Sequence, residues 1–119
     1  MISDQQLKIK TDILTNKLSA GLFDEVITEA KGLLRKRSHQ IIYNILSIAY
    51  QSLGKFDLSV EIMEEALKKN PKNPYFLNNM GISKHNLESF EEAERYFKKG
   101  LDVAPNYINI LNNIGNLKK

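Results

Sequence analysis

Residues 74–105 read PYFLNNMGISKHNLESFEEAERYFKKGLDVAP, and parts of this segment recur elsewhere in the chain at one spacing. Pro71 returns as Pro105 and Phe56 as Phe90, each 34 residues later, and LNNMG at 77–81 returns as LNNIG at 111–115. A period of about 34 residues is typical of stacked helix-turn-helix units. The repeat therefore predicts an all-α fold, a solenoid of antiparallel helix pairs.

Capping signals and apolar spacing divide the chain into seven predicted helices. Ser3 with Gln6 and Ser89 with Glu92 form capping-box patterns, and Asn73 stands where it can cap a helix. Gly21 ends the first helix, and Gly54 is suited to the left-handed backbone that follows a helix. We predict one domain, 1–119, with units at about 7–39, 40–73 and 74–107 and a half unit at 108–119.

The second and third units resemble the tetratricopeptide repeat (TPR). The matching residues are Tyr43, Leu46, Ser47, Tyr50, Gly54, Phe56, Ala66 and Pro71 in the second unit and Leu77, Met80, Gly81, Phe90, Ala93, Phe97, Gly100 and Pro105 in the third. The small residues are typical of close helix contacts, and the aromatic ones of the space between pairs. The resemblance implies a right-handed superhelical α-solenoid of about three repeats plus one extra helix.

The sequence departs from this pattern at several positions. Glu88 stands where Gly54 stands in the second unit, and Ser59 replaces the usual alanine. The first unit carries Leu33 at a small-residue position, and its Gly21 precedes Gly54 by 33 residues rather than 34. The first repeat is therefore the most divergent, as terminal repeats often are.

Composition excludes several classes of function. The chain has no cysteine, 42% apolar and 26% charged residues, which is typical of a globular protein without disulfides or thiolate metal sites. Residues 1–10 are polar, unlike a secretory signal, and the longest apolar run, residues 41–50, is shorter than the roughly 20 residues that cross a bilayer. We expect a cytoplasmic protein that binds no membrane.

The charged and histidine residues give no sign of nucleic-acid, metal or catalytic chemistry. The net charge is +3, but the one basic cluster, residues 31–37, falls at a predicted helix C-terminus without interleaved aromatic residues. His39 and His85 have no carboxylate at metal-ligand spacing, and the chain has no nucleophile motif. We expect no enzyme activity, no cofactor, no metal and no nucleic-acid partner.

In TPR proteins the first helix of each pair lines a concave groove that binds extended peptides, so the resemblance implies a groove in this chain. The first unit contributes Lys8, Asp12 and Thr15, and Ile41 belongs to the second. The remaining predicted groove residues are Asn44, Ile45, Ile48, Tyr75, Asn78, Asn79, Ile82, His85, Asn109, Asn112, Asn113 and Asn116.

Asparagine is frequent among these positions. A row of amides can hydrogen-bond a peptide backbone without reading its side chains. Asn79 and Asn113 stand where repeats of the O-linked N-acetylglucosamine transferase type carry an asparagine ladder, which this groove resembles. The two-carboxylate clamp of chaperone-binding repeats needs cations at Tyr75 and Asn79, and these are absent. Two interpretations stay open: the row contacts a peptide, or it is polar filler.

Apolar residues support further interpretations. Ile41, Ile45, Ile48, Tyr75 and Ile82 form an apolar patch on the groove wall, unless the N-terminal helices bury it. The last predicted helix carries Ile110, Leu111, Ile114 and Leu117 without a following helix to cover them.

Three functions follow from these features. The first is a scaffold that holds an extended peptide or partner segment. The alternatives are a self-association module that forms homo-oligomers through the open C-terminal helix, and the N-terminal recruiting arm of a longer glycosyl- or sulfotransferase.

Overall fold

The computed structural model describes residues 1–107 and 109–111. Within these residues the protein forms six α-helices and no strand. The helices are α1 (Asp4–Ser19), α2 (Phe23–Lys36), α3 (Gln40–Ser52), α4 (Phe56–Lys69), α5 (Pro74–Asn86) and α6 (Phe90–Val103). Residues 109–111 are helical at the start of the seventh predicted helix, whose remainder lies outside the described residues. The all-α solenoid prediction is confirmed.

Of the three helix caps predicted from the sequence, two form and one does not. Ser3 forms both halves of its capping box with Gln6, and the Asn73 side chain accepts from the backbone N–H of Tyr75 at 2.9 Å. The capping box predicted at Ser89 is wrong, because its side chain makes no capping hydrogen bond. The Glu92 carboxylate that would complete the box pairs instead with Lys84 at 2.9 Å.

The turn inside each helix pair uses a left-handed residue at the same place. Gly54 has φ +73°, as predicted, Gly21 has φ +80°, and Glu88 adopts φ +64° in the third pair. A non-glycine residue is disfavoured in this region because its Cβ approaches the backbone carbonyl. The third turn thus keeps the geometry of the other two at a local cost in backbone energy.

The core lies between successive helix pairs and requires small residues where helices cross. Clusters of buried side chains join the first pair to α3, the second pair to α5, and α6 to residue 110. A Cβ on Gly81 would overlap the Phe97 ring, and one on Gly100 would overlap Ile110 Cδ1. The exposure predicted for Ile110 is wrong, since it is fully buried against Gly100 with Ala93 and Phe97. Leu111 stays half exposed.

A buried serine cluster explains the departure at Ser59. The Ser59 hydroxyl lies 2.8 Å from Ser47 Oγ and accepts from the Ser83 hydroxyl at 2.9 Å. Three helices therefore meet in one hydrogen-bonded cluster. The Gln51 amide donates to Ser47 at 3.2 Å and to the backbone carbonyl of Asn79 at 3.2 Å. Because buried hydroxyls are costly when unpaired, this network fixes how α3, α4 and α5 sit together.

Candidate functional site

The first helices of the pairs line a groove made of three cavities that share lining residues. Its first part, about 300 Å³, lies between α1 and the start of α3, and shares His39 and Ile41 with a second part of about 400 Å³. The second part shares Asn44 and Tyr75 with a third, about 350 Å³, which continues along α3 and α5 to Tyr107. We call these three joined parts the concave groove.

Amide side chains form the floor of the concave groove. Asn79 Nδ2 donates to Asn44 Oδ1 at 2.5 Å, which ties α5 to α3. Asn78 is 6% exposed and Asn79 5%, whereas Asn44 is half-buried. The Asn44 amide nitrogen and the Asn79 amide oxygen are not used in the bond that joins the two side chains. The amide row is therefore part of the fold as well as a possible contact surface.

Apolar and aromatic side chains form the wall above this floor. Tyr75 is 54% exposed and its ring meets that of Tyr107 edge-on, with centroids 5.4 Å apart. Ile41 is 40% exposed, and Ile48 and Ile82 are half-buried. Exposed aromatic and aliphatic side chains beside amides suit a partner that buries apolar groups on binding.

The other predicted groove residues differ in where they lie. Ile45 is 3% exposed and belongs to the core cluster that also contains Leu7 and Leu14 of α1, so the N-terminal helix covers it and it does not line the groove. The His85 ring is set edge-on against Phe90 at 5.2 Å and does not line the concave groove either. Asn109 is exposed and lines the third part. Asn112, Asn113 and Asn116 lie outside the described residues.

Charge is confined to the first part of the groove. Asp4 pairs with Arg37, whose hydrogen bond and positive charge lower the pKa of Asp4, and Lys8 Nζ lies 3.0 Å from Asp12 Oδ2. The second and third parts are lined by neutral side chains and His39. The paired charges cancel, so the groove as described offers no unpaired lysine or arginine to hold a carboxylate.

The described residues contain neither a cluster of metal-ligand side chains nor a membrane-spanning helix. No three histidine or acidic side chains among residues 1–107 and 109–111 are grouped as metal ligands. None of the six helices combines the length and the apolar character that crossing a bilayer requires.

Comparison with known proteins identifies the repeat. The family model of the tetratricopeptide repeat matches residues 41–73 and 74–107, more than half of the chain. The chain belongs to the TPR family. A TPR repeat-containing protein of Methanocaldococcus jannaschii is 29% identical over 106 residues, 86% of this chain and 19% of that protein. Tetratricopeptide repeat protein 16 of Mus musculus is 31% identical over 89 residues, 72% of this chain and 11% of that protein. The chain thus spans a fifth or less of both TPR relatives.

The solved structures similar to this chain include TPR domains of the same size. The first TPR of Spaghetti (RPAP3), bound to the HSP90 peptide SRMEEVD, superposes with a TM-score of 0.88 at 18% identity. The match covers 98% of this chain and 94% of that one. At this identity the likeness shows the fold alone, and it agrees with the TPR solenoid described above.

Two residues of the third part of the concave groove were missed by the sequence analysis. Gln51 lines the third part, and so does Tyr107, whose ring contacts Tyr75. Gln51 lies seven residues after Asn44, which places both on one helix face, so helical spacing could have found it. No periodic signal marks Tyr107, because it lies in the loop that follows α6.

Proposed function

We propose that this protein is a binding module that holds an extended, uncharged peptide segment in the concave groove. One observation carries the proposal: three cavities that share lining residues follow one another from α1 to Tyr107, and apart from His39 the second and third are lined by neutral amide, aromatic and aliphatic side chains. Such a surface binds through backbone hydrogen bonds and apolar burial rather than through ion pairs.

The dimensions of the groove suit a short extended segment. Neighbouring helix axes lie about 9 Å apart, so the span from α1 through α3 and α5 to residues 109–111 is roughly 27 Å. An extended chain advances about 3.3–3.6 Å per residue, so about eight residues fill the groove. The Asn44 amide would donate to a peptide carbonyl, while Tyr75 and Ile41 cover an apolar side chain of the peptide.

The proposed peptide partner differs in charge from the peptide that is bound in one similar structure. The HSP90 peptide bound to the first TPR of Spaghetti ends in Glu-Glu-Val-Asp and carries several carboxylates. In the described groove of this chain the two cations, Lys8 and Arg37, are both paired with aspartates. An acidic peptide would have to break these pairs, so we expect a neutral segment to bind more tightly.

A peptide array tests this proposal. Eight-residue peptides are displayed with neutral or acidic composition, and the tightest binders are measured again with Asn44→Ala and Tyr75→Ala. Each substitution removes a groove contact, so we expect each to weaken binding at least tenfold. Asn16→Ala is the matched control, since Asn16 is an exposed asparagine of α1 outside the groove. Unchanged binding in both groove variants would refute the proposal.

A further inference from the structure

A second crevice lies away from the concave groove, in the seam between α1 and α2. It encloses about 350 Å³. Ile13, Leu14 and Leu33 form its apolar part, and its charged residues are Lys10, Lys17, Glu29 and Lys36. We call it the seam crevice.

The second repeat shows how the corresponding place is filled there. The residue just before the second helix of each pair donates its backbone N–H to a backbone carbonyl oxygen near the end of the first helix. Leu22 donates to Lys17 in the first pair, and Lys55 donates to Tyr50 in the second. This bond sets the correspondence between the two repeats at 33 residues, so Lys10 corresponds to Tyr43, Gly32 to Glu65 and Lys36 to Lys69.

The seam of the second repeat is filled by an aromatic ring. Tyr43 is fully buried, and its hydroxyl donates to Glu65 Oε1 at 2.9 Å. Lys69 Nζ lies 5.6 Å from the centroid of the Tyr43 ring, within reach of a cation–π interaction. The first repeat keeps the lysine, as Lys36, but has neither the ring nor the carboxylate.

Gly32 lines the seam crevice, and no neighbouring group in the described structure requires a glycine at this position. A Cβ built on it would meet only an Arg35 guanidinium nitrogen, at 3.9 Å. Glycine is unfavourable in the interior of a helix because it gives up more conformational freedom than alanine. At Gly81, by contrast, a Cβ would overlap the Phe97 ring. Gly32 therefore leaves empty the volume that the Glu65 side chain takes in the second repeat.

The charge around the crevice favours an acidic occupant. Glu29 Oε1 lies 2.8 Å from Lys17 Nζ, and this contact raises the pKa of Lys17. Lys10 and Lys36 form no ion pair within the described part of the chain. Three lysines face one glutamate, which leaves two positive charges beside an apolar crevice.

We propose that the seam crevice binds an aromatic side chain of a partner protein, carried on a segment with acidic residues next to the aromatic one. The ring takes the place that Tyr43 takes in the second repeat and lies under Lys36 as Tyr43 lies under Lys69. The flanking carboxylates pair with Lys10 and Lys36. This site is separate from the concave groove and does not depend on peptide binding there.

Three capped tripeptides test the site by 15N–1H NMR titration: acetyl-Asp-Phe-Asp-amide, acetyl-Asp-Ala-Asp-amide and acetyl-Lys-Phe-Lys-amide. We expect the first to shift the backbone amides of Gly32, Leu33 and Lys36, and the other two to bind at least tenfold more weakly. Equal binding of all three, or shifts that spread over the whole surface, would overturn the proposal.

Variants separate the crevice from other surfaces. Lys10→Tyr with Gly32→Glu restores the pair that fills the second repeat, so this double variant should stay folded and lose acetyl-Asp-Phe-Asp-amide binding. Lys36→Gln should weaken binding at least tenfold. Thr28→Glu changes an exposed residue of the same helix and is the matched control, which should still bind acetyl-Asp-Phe-Asp-amide.

Two further results would count against the site. Retained binding in the double variant would show that the crevice is not the contact. A concentration-dependent shift of Gly32 without any tripeptide would show that a second copy of the chain occupies it. The groove variant Asn44→Ala should bind the tripeptide normally, so failure at one site is distinguishable from failure at the other.

Discussion

The same substitution should have opposite effects at two glycines, both in helix interiors. Gly81 in α5 faces Phe97 of α6, and a Cβ there would overlap three carbons of a ring that is itself buried. Gly32 in α2 faces the seam crevice, where a Cβ meets only the end of a flexible arginine side chain. We predict that Gly81→Ala destabilises the protein and that Gly32→Ala stabilises it.

The magnitudes follow from two opposed effects. Alanine is favoured over glycine inside a helix by about 0.5–1 kcal/mol, and Gly32→Ala should gain this amount in full. Forcing an extra carbon into a filled core costs about 1–3 kcal/mol. Because the whole Phe97 ring must move, we place Gly81→Ala toward the upper part of that range. The net loss is then roughly 1–2 kcal/mol after the helix gain is subtracted.

Urea unfolding followed by circular dichroism at 222 nm, with thermal melts beside it, measures both variants. For a domain of this size we expect about 4 °C in Tm per kcal/mol, so the two variants should differ by roughly 6–12 °C. Gly81→Ser serves as a second test of the same contact and should also destabilise. A Gly81→Ala protein as stable as Gly32→Ala would refute the packing of α5 on Phe97 described here.

Three further predictions concern single positions. Glu88→Gly should stabilise the protein by about 0.5–1 kcal/mol in urea unfolding, because relief of the left-handed backbone exceeds the added freedom of the unfolded chain; a destabilised variant contradicts the φ of +64°. Ser59→Ala restores the usual repeat residue, but it removes the partner of two buried hydroxyls. It should therefore lower the free energy of unfolding by about 1–2 kcal/mol in the same assay. An unchanged free energy of unfolding would mean that the serine cluster contributes nothing to stability. Lys84 lowers the pKa of Glu92 by hydrogen bonding and by charge, from an ordinary value of 4.5, so the stabilising effect of the pair is present at neutral pH and disappears as the pH falls through that lowered pKa. Glu92→Gln should therefore melt below the parent protein at pH 7 and converge with it in acid, and a gap in Tm that persists at pH 2 would exclude the ion pair as its cause.

Local signals predicted the backbone well. The caps at Ser3 and Asn73 and the left-handed glycines depend on residues within a few positions of one another, so sequence contains what decides them. The capping box at Ser89 did not form: the Ser89 N–H donates to the Lys84 carbonyl oxygen at 2.9 Å, and the Glu92 carboxylate pairs with Lys84 Nζ on the other helix of the pair. A contact between helices that depends on side-chain reach is not visible in a capping pattern.

The candidate site was predicted in outline and missed in detail. The resemblance to TPR proteins predicted Asn44 and Tyr75 on the groove face of the first helices, and both line the groove. The resemblance also implied Ile45 in the groove, because a family pattern does not show that α1 packs over this part of α3. Ile110 was expected at an open end, but the missing side chain of Gly100 lets it enter the core. These errors share one cause, which is that burial depends on a neighbouring helix whose packing angle the repeat pattern does not specify.

The most direct test of the peptide-binding proposal is a 15N–1H NMR titration with the tightest neutral peptide from the array. We predict that the amides that shift lie along the concave groove, with Asn44, Tyr75 and Ile82 among them, and that the peptide SRMEEVD causes far smaller shifts at equal concentration. Shifts confined to the outer faces of α4 and α6, or tighter binding of SRMEEVD, would contradict it.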